Sequence, residues 1–226
     1  MGAEPLSLSL AGGDSVSALL DVPAGAHACY VMAHGAGAGM THSFMAAAAE
    51  GLARRGVATL RYQIPFVEHG SKRPDPPAVA HAAVRAAVAQ AQRRLPALPC
   101  FAGGKSFGGR MTSQAQAATP LAGVRGLIFL GFPLHPAGRP SHERAEHLFA
   151  IDVPMLLLQG TRDALAALDE LEPLARRLGR RATLRLYEGA DHSFHVPARS
   201  GRTDAQVRGE MLDAVAAWVE KVVQPH

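Results

Sequence analysis

The residue of this sequence with the clearest chemical potential is Ser106, which lies between two glycines in the pattern Gly104-x-Ser106-x-Gly108. An apolar run over residues 98–102 precedes it, and a helix-prone run over residues 111–117 follows. Such a pattern, where a strand turns directly into a helix, is typical of a nucleophile elbow that exposes the serine hydroxyl above a sheet. Glycines are needed where the helix passes close to the strand. The stretch therefore predicts Ser106 as a nucleophile.

Other interpretations of the same stretch are open at this point. A phosphate-binding loop of the form Gly-x-x-x-x-Gly-Lys-Ser needs a glycine where this sequence has Pro99, so that interpretation fails. A glycine-rich turn without chemistry fits these few residues, and so does a serine retained in a protein that only binds partners. The rest of the chain must decide whether an acid and a base accompany the serine.

An acid and a base do follow, each directly after an apolar run. Asp163 comes after the run over residues 155–159, and His192 comes after the run over residues 183–187. Functional groups collect at the carboxyl ends of parallel strands, so these side chains are expected near Ser106. Ser106 is too weak an acid to attack unaided. His192 is predicted to accept its proton, and Asp163 to orient and stabilise the imidazole.

Alternatives exist for both partners of the serine. His195 is a second candidate base, although it could instead line the pocket. Asp163 is preferred as the acid because one other aspartate precedes its strand, one lies on a predicted helix and one is adjacent to the histidine that it would orient. These alternative acids are Asp152, Asp169 and Asp191.

A glycine-rich segment that begins at His34 follows the first fully apolar run, residues 28–33. It lacks the last glycine of the Gly-x-Gly-x-x-Gly fingerprint, so a dinucleotide site is not predicted. A glycine-rich turn at this place instead fits the second half of an oxyanion hole. The predicted donors are the backbone N–H of Ala36 or Gly37 together with that of Phe107. His34 is interpreted as support for this segment at the edge of the pocket.

The order of the apolar patterns predicts the fold. Residues 5–10 and 15–22 alternate apolar and small polar side chains, which indicates an antiparallel hairpin. Further strands are predicted at residues 28–33, 57–62, 98–102, 124–129, 155–159 and 183–187, and helices at residues 43–55, 78–95, 111–119, 165–178 and 203–222. This alternation predicts an α/β fold with a mostly parallel sheet of about seven to eight strands and helices on both faces. Residues 1–226 are expected to form a single domain.

The composition excludes several classes of protein. The net charge is +4, but the arginines are scattered or paired at predicted helix ends, so no nucleic-acid partner is predicted. Cys29 and Cys100 lie in apolar runs and are expected to be buried thiols. The N-terminus has no basic leader, and no run reaches the roughly 18 apolar residues of a membrane span. We therefore expect a cytoplasmic protein with no membrane partner.

Two segments rich in proline, residues 63–77 and 132–147, are predicted to wall a shallow pocket, without a large cap domain. Arg73, His135, Arg139 and Arg144 could bind an acidic group there, although the sequence favours surface arginines without a role. A zinc motif His-Glu-x-x-His would need a histidine where Glu146 stands. Neither a metal nor a cofactor is predicted.

Several motifs together resemble one known family. They are His34-Gly35-Ala36-Gly37-Ala38-Gly39, Gly104 to Arg110, Phe132 to Pro136, Gln159 to Asp163 and Gly189 to Ser193. In combination they are similar to the small, lidless α/β-hydrolases related to dienelactone hydrolase, from about residue 25 onward. The nearest subgroup comprises bacterial proteins of unassigned substrate and an animal branch with a subunit of a histone-acetyltransferase complex. The Ser–Asp–His order is the one that α/β-hydrolases use.

The resemblance implies a serine hydrolase that acts on a small ester, lactone or thioester as a monomer or homodimer. Dienelactone hydrolases use a cysteine as nucleophile, so Ser106 argues against their substrate here. The alternative is a non-catalytic interaction module that keeps the fold. The presence of Ser106, Asp163 and His192 together argues against that alternative.

Overall fold

The computed structural model describes residues 2–224, and its centre is a single eight-stranded sheet. The strands are β1 Glu4–Ser9, β2 Ser15–Asp21, β3 Ala28–Ala33, β4 Val57–Tyr62, β5 Cys100–Lys105, β6 Val124–Leu130, β7 Met155–Gly160 and β8 Ala182–Tyr187. Their order in the sheet is β1-β2-β4-β3-β5-β6-β7-β8. Only the pairs β1–β2 and β2–β4 are antiparallel. The predicted hairpin and the mostly parallel sheet are therefore confirmed.

Helices cover both faces of the sheet, as predicted. They are α1 Ser43–Ala53, α2 Pro65–Glu68, α3 Pro77–Arg94, α4 Phe107–Ala118, α5 Leu168–Leu178 and α6 Asp204–Val223. One apolar core lies between the sheet and α1 and α6, and the other lies between the sheet and α3, α4 and α5. Within residues 2–224 no segment forms a separate cap domain, and no helix has the length and apolar character to cross a membrane.

The central strands are apolar along their whole length because helices cover them on both sides. Every residue of β3 is buried, as is every residue of β4 and β7. Trp218 of α6 packs edge-on against Phe101 of β5 at 5.7 Å between ring centroids and so belongs to the core. Cys29 and Cys100 are buried neighbours on β3 and β5. Burial raises the pKa of both thiols.

The two segments with many prolines are more ordered than the sequence indicates. Residues 63–77 contain the short helix α2, and the Phe66 N–H at its start donates to the Asp75 carboxylate at 2.6 Å. Residues 143–150 form a 3-10 helix whose N-cap is His142. The Ser141 hydroxyl, one residue earlier, accepts a bond from the Glu143 N–H at 3.2 Å. Both segments pack against the body of the domain instead of extending over the sheet.

Candidate active site

Ser106 lies at a sharp turn between β5 and α4, with backbone angles φ +50° and ψ −117°. A positive φ is uncommon for any residue except glycine and costs roughly 1–3 kcal/mol. The neighbouring glycines permit this turn because a Cβ on Gly104 would lie 2.1 Å from the Ala33 carbonyl oxygen, and one on Gly108 would lie 2.4 Å from that of His34. Strand β3 and helix α4 therefore approach too closely for any side chain there.

The structure brings Ser106, His192 and Asp163 into contact, although the chain separates them widely. Ser106 Oγ lies 2.7 Å from His192 Nε2, and His192 Nδ1 lies 2.6 Å from Asp163 Oδ2. Asp163 follows β7, and His192 belongs to the loop after β8. A carboxylate on Nδ1 favours the tautomer with its proton on Nδ1, which leaves the Nε2 lone pair facing the serine hydroxyl.

The Asp163 carboxylate is fully buried and held from two further directions. Its Oδ1 accepts a bond from the Leu165 N–H at 2.8 Å, and its Oδ2 also accepts one from the Gln159 side-chain amide. The oxygen of that amide accepts the Phe132 N–H at 2.8 Å. Gln159 thus ties the end of β6 to the acid. The sequence analysis missed Gln159, although a glutamine that ends an otherwise apolar strand was a usable signal.

Two of the predicted oxyanion donors, Ala36 and Gly37, line the same cavity as Ser106, and the third, Phe107, directly follows Ser106 in the chain. Phe107 is the first residue of α4, so its N–H has no partner within the helix. Within residues 2–224, neither the Ala36 N–H nor the Gly37 N–H donates to a protein acceptor. The side chain of His34 supports this loop, because its Nδ1 donates to the Gly35 carbonyl and its Nε2 accepts the Ile64 N–H at 2.9 Å. Burial lowers the pKa of His34, so its imidazole is neutral.

A cavity of about 670 Å³ opens over Ser106. Its walls come from the loop after β3, the first turns of α1, the loop that carries His192 and the start of α6. Phe44, Met45, Leu165 and Phe194 give it an apolar side. Lys105, Asp204 and Arg208 supply its charged groups. The residues that line it include none from the segments 63–77 and 132–147, so the predicted walls are replaced by residues 35–47 and 192–208.

The residues that the sequence suggested as pocket residues do not line this cavity. Arg73 and Arg139 are exposed on loops outside the cavity. His135 is buried and structural, since its Nδ1 donates to the Pro136 carbonyl and its Nε2 accepts the Ala167 N–H at 2.9 Å. His195 is exposed and its Nδ1 contacts the Asp204 carboxylate at 2.9 Å, a bond that raises the pKa of His195. His34 lies beneath the oxyanion loop and does not line the cavity.

The histidines of the segment 141–148 do not form a metal site. His142 contacts the carboxylates of Glu146 and Glu170, and His147 contacts the Ser113 hydroxyl at 2.7 Å. Residues 2–224 contain no cluster of three or more His, Cys, Asp or Glu side chains with metal-binding geometry.

Lys105 contacts groups that are distant from it in the chain. Its ammonium group donates to the backbone carbonyl of His192 and lies 5.8 Å from the centroid of the Phe44 ring and 5.5 Å from that of Phe194. These contacts come from two separate segments, α1 and the loop that carries His192, so no local pattern in the sequence predicts them.

The alpha/beta hydrolase domain family matches residues 26–220, and this chain belongs to that family. Three solved structures share its fold. A serine hydrolase without lid from Xanthomonas campestris is 21% identical with a TM-score of 0.73, and the match covers 96% of this chain and 95% of the other. An alpha-beta serine hydrolase homologue from Coxiella burnetii is 18% identical with a TM-score of 0.76, over 95% and 98% of the two chains. A dienelactone hydrolase from Anabaena variabilis is 19% identical with a TM-score of 0.76, over 98% and 99%. The resemblance to lidless α/β-hydrolases is confirmed.

Proposed function

We propose that this chain is a serine hydrolase that cleaves small carboxylic esters, lactones or thioesters through an acyl-enzyme on Ser106. The observation that carries the proposal is the continuous contact from Ser106 Oγ through His192 to a buried Asp163, at 2.7 Å and 2.6 Å, on the floor of an open cavity. Membership of the alpha/beta hydrolase domain family supports it.

The first half of the reaction uses the lone pair on His192 Nε2. Ser106 Oγ attacks the substrate carbonyl carbon while its proton passes to Nε2, and the carbonyl π electrons move onto the oxygen. The imidazolium that forms is stabilised by the Asp163 carboxylate on Nδ1. The tetrahedral intermediate then collapses, and His192 gives its proton to the departing alkoxide or thiolate. The products of this half are the acyl-enzyme and an alcohol or thiol.

The developing oxyanion needs donors that already point at it. The N–H of Phe107 and that of Ala36 or Gly37 serve as this pair, and removal of one such donor typically lowers kcat by about 10² to 10³. In the second half, water replaces the alcohol. His192 accepts a proton from the water, hydroxide attacks the acyl carbon, and the collapse of the second intermediate returns the proton to Ser106 Oγ.

The shape of the cavity narrows the substrate class. Its volume of about 670 Å³ is in the range of small-molecule sites. The apolar wall of Phe44, Met45 and Phe194 favours a short apolar acyl or alcohol group. We therefore expect the highest kcat/KM for esters with acyl chains of modest length, and a fall in kcat/KM for long chains that must extend into solvent.

A fluorophosphonate probe tests the proposal without knowledge of the substrate. The wild type is expected to become labelled, and Ser106→Ala is expected to lose the label. Ser193→Ala is the matched control, because Ser193 also lines the cavity but has no contact to an imidazole. It should label like the wild type. Labelling that survives Ser106→Ala, or a folded wild type that does not react, would contradict the proposal and favour a non-catalytic module.

A panel of p-nitrophenyl esters and thioesters with graded chain lengths then defines the substrate. Each rate is corrected with the rate of Ser106→Ala under the same conditions. An optimum at short or medium chains would agree with the cavity. A steady rise in kcat/KM to the longest chains would show that the cavity does not limit the substrate.

A further inference from the structure

The side chain of Lys105 makes a bond that links two parts of the active site. Lys105 is the last residue of β5 and directly precedes Ser106. Its Nζ donates to the backbone carbonyl oxygen of His192. One side chain thus joins the strand that ends at the nucleophile to the loop that carries the base. The Ser106–His192 contact is made by the imidazole of His192, whereas the bond from Lys105 holds the main chain of the same residue.

Within the loop around His192, no backbone N–H group donates to the His192 carbonyl oxygen. The turn is held by bonds centred on Asp191, whose carboxylate accepts the N–H groups of Ser193 and His195 at 2.7 Å and 3.0 Å. The Asp191 N–H donates to the His195 carbonyl at 2.9 Å. No backbone N–H in the described part of the chain donates to the His192 carbonyl. The bond from Lys105 is therefore the contact that holds the His192 carbonyl group, and with it the main chain of His192, in place.

The surroundings of Lys105 are shaped to receive its ammonium group. Phe44 and Phe194 stack with 6.1 Å between their ring centroids, and the ammonium group lies beside this pair, 5.8 Å and 5.5 Å from the two centroids. Gly131, the residue after β6, has no side chain to obstruct the bond between Lys105 and His192. A Cβ at this position would lie 2.9 Å from Lys105 Nζ and 3.3 Å from the His192 carbonyl oxygen. Phe194 itself adopts an unfavourable φ of +63°. Contributions from β6, α1 and the His192 loop thus meet at one amine.

The ammonium charge has no direct counter-ion. Within residues 2–224 no carboxylate lies within salt-bridge distance of Lys105. Burial lowers the pKa of Lys105 to about 8, and the more distant Asp163 and Asp191 oppose that shift. Besides Asp163 and Asp191, the titratable group near the Lys105 ammonium group is the imidazole of His192. A methionine would fill a similar volume without the cost of enclosing a charge, so stability alone gives no reason for a lysine here.

We propose that Lys105 is a positioning residue: its ammonium group fixes the main chain of His192 so that the imidazole stays between Ser106 and Asp163. The inference rests on the proposed hydrolase function. It predicts that loss of the ammonium group lowers the rate of proton transfer while substrate binding persists, because small displacements of a catalytic group cost much rate.

The test compares Lys105→Met and Lys105→Arg with the wild type on the best ester of the panel. Lys105→Met is expected to lower kcat by about tenfold to 100-fold with KM changed less than about threefold. Lys105→Arg keeps a charged donor and should recover part of the loss. Lys72→Met is the matched control, since Lys72 is exposed on a loop outside the cavity, and it should behave like the wild type. The rate of fluorophosphonate labelling should follow kcat in each variant.

The dependence of kcat on pH distinguishes a positioning role from a merely structural one, because a lysine that only stabilises the fold would not change this dependence. In the wild type, kcat should fall as the pH rises from about 7 to about 9.5, because the ammonium group loses its proton in this range and a neutral amine donates a weaker hydrogen bond to the His192 carbonyl. In Lys105→Arg the fall should disappear, because a guanidinium group stays charged there. The wild-type measurement remains decisive even if Lys105→Met fails to fold.

Two results would overturn the inference. One is a kcat in folded Lys105→Met within about twofold of the wild type, with an unchanged pH profile. The other is a wild-type kcat that stays constant over the alkaline range. A failure of the proposed hydrolase function gives a different result. In that case Ser106→Ala would keep the activity or the fluorophosphonate label, irrespective of the results for the Lys105 variants.

Discussion

Two serine–histidine pairs in this molecule have the same oxygen-to-nitrogen distance of 2.7 Å, but only one of them is arranged for nucleophilic chemistry. The elbow pair is Ser106 with His192, and the helix pair is Ser113 with His147. Ser106 stands on a strained turn at the floor of a cavity, and the second nitrogen of His192 contacts the buried Asp163 carboxylate. Its surroundings therefore supply access, orientation and charge stabilisation.

The helix pair lacks all of these. Ser113 lies within α4, is fully buried, and donates its hydroxyl proton to the Arg110 carbonyl at 2.9 Å. A hydroxyl has a single proton, so His147 Nε2 must donate to Ser113 Oγ instead of accepting from it. Burial, with smaller contributions from Arg110 and His81, lowers the pKa of His147 to about 4. His147 is therefore a neutral donor that joins the 3-10 helix 143–150 to α4.

The difference lies in the direction of the hydrogen bond, which the distance between heavy atoms does not reveal. Asp163 holds a proton on His192 Nδ1 and so makes Nε2 an acceptor toward Ser106. The backbone carbonyl of Arg110 takes the proton of Ser113 and so makes His147 a donor. The third group, rather than the pair, decides which serine can be activated.

Removal of each imidazole gives the largest expected contrast. His192→Gln should lower kcat by about 10⁴-fold to 10⁶-fold, since the general base of a triad is lost. His147→Gln should leave kcat within about threefold of the wild type, because glutamine can still donate to Ser113 and the pair lies outside the cavity. Steady-state kinetics on the same ester measures both.

Equal losses in these two variants would contradict the distinction between the pairs. Circular dichroism and thermal unfolding of both variants guard against misreading a folding defect as a catalytic effect. A folded His147→Gln with greatly reduced kcat would place the helix pair within the catalytic machinery.

The carboxylate that orients His192 gives the next largest effect. Asp163→Asn should lower kcat by about 10⁴-fold, because the amide can donate a proton to Nδ1 and thereby favour the wrong tautomer. Asp191→Asn is the matched control from the set of alternative acids. An asparagine oxygen still accepts the Ser193 and His195 N–H groups, so the loss of kcat should be less than about tenfold.

The reverse ranking of these two aspartate variants would assign the orienting role to Asp191. The kinetics are measured over a range of pH, so that a shifted pH profile is not mistaken for the loss of a catalytic group. Fluorophosphonate labelling rates give an independent ranking of the same variants.

The sequence is sufficient to predict the elbow pair because each of its members is marked by local chemistry. Ser106 has glycines on both sides at positions 104 and 108, and Asp163 and His192 each lie within five residues of the end of a strand. Strand ends on one edge of a parallel sheet must be close together, so local patterns imply a distant contact. The alternation of strands and helices specifies the sheet in the same way, and all eight strands lie close to their predicted places.

The walls of the cavity could not be predicted because they depend on how loops pack, not on where strands end. Residues 63–77 fold back through α2 and the bond between Phe66 and Asp75, and residues 132–147 are tied down by His135. Lys105 shows the same limit, since lysine is usually exposed and its partners lie far away in the chain. Long-range packing of this kind leaves no periodic or local pattern.

The smallest expected effect concerns the helix pair and the dependence of stability on pH. The pKa of His147 is about 4 in the folded protein, against an ordinary value of 6.5 that applies to the unfolded chain. As the pH falls below 6.5, His147 therefore binds a proton in the unfolded chain but stays neutral in the folded protein. The neutral imidazole contributes stability above that pH, and this contribution is lost progressively as the pH falls toward 4.

Urea unfolding midpoints measured at neutral and at mildly acidic pH test this expectation. The wild type should lose more stability on acidification than His147→Gln, which has no group to protonate at this site. His195→Gln is a control of opposite sign, because the exposed His195 has a raised pKa and favours the folded state when protonated. That variant should lose slightly more stability in acid than the wild type. Parallel acid losses in the wild type and His147→Gln would mean that His147 titrates normally, and its hydrogen bond to Ser113 would then have to tolerate an imidazolium.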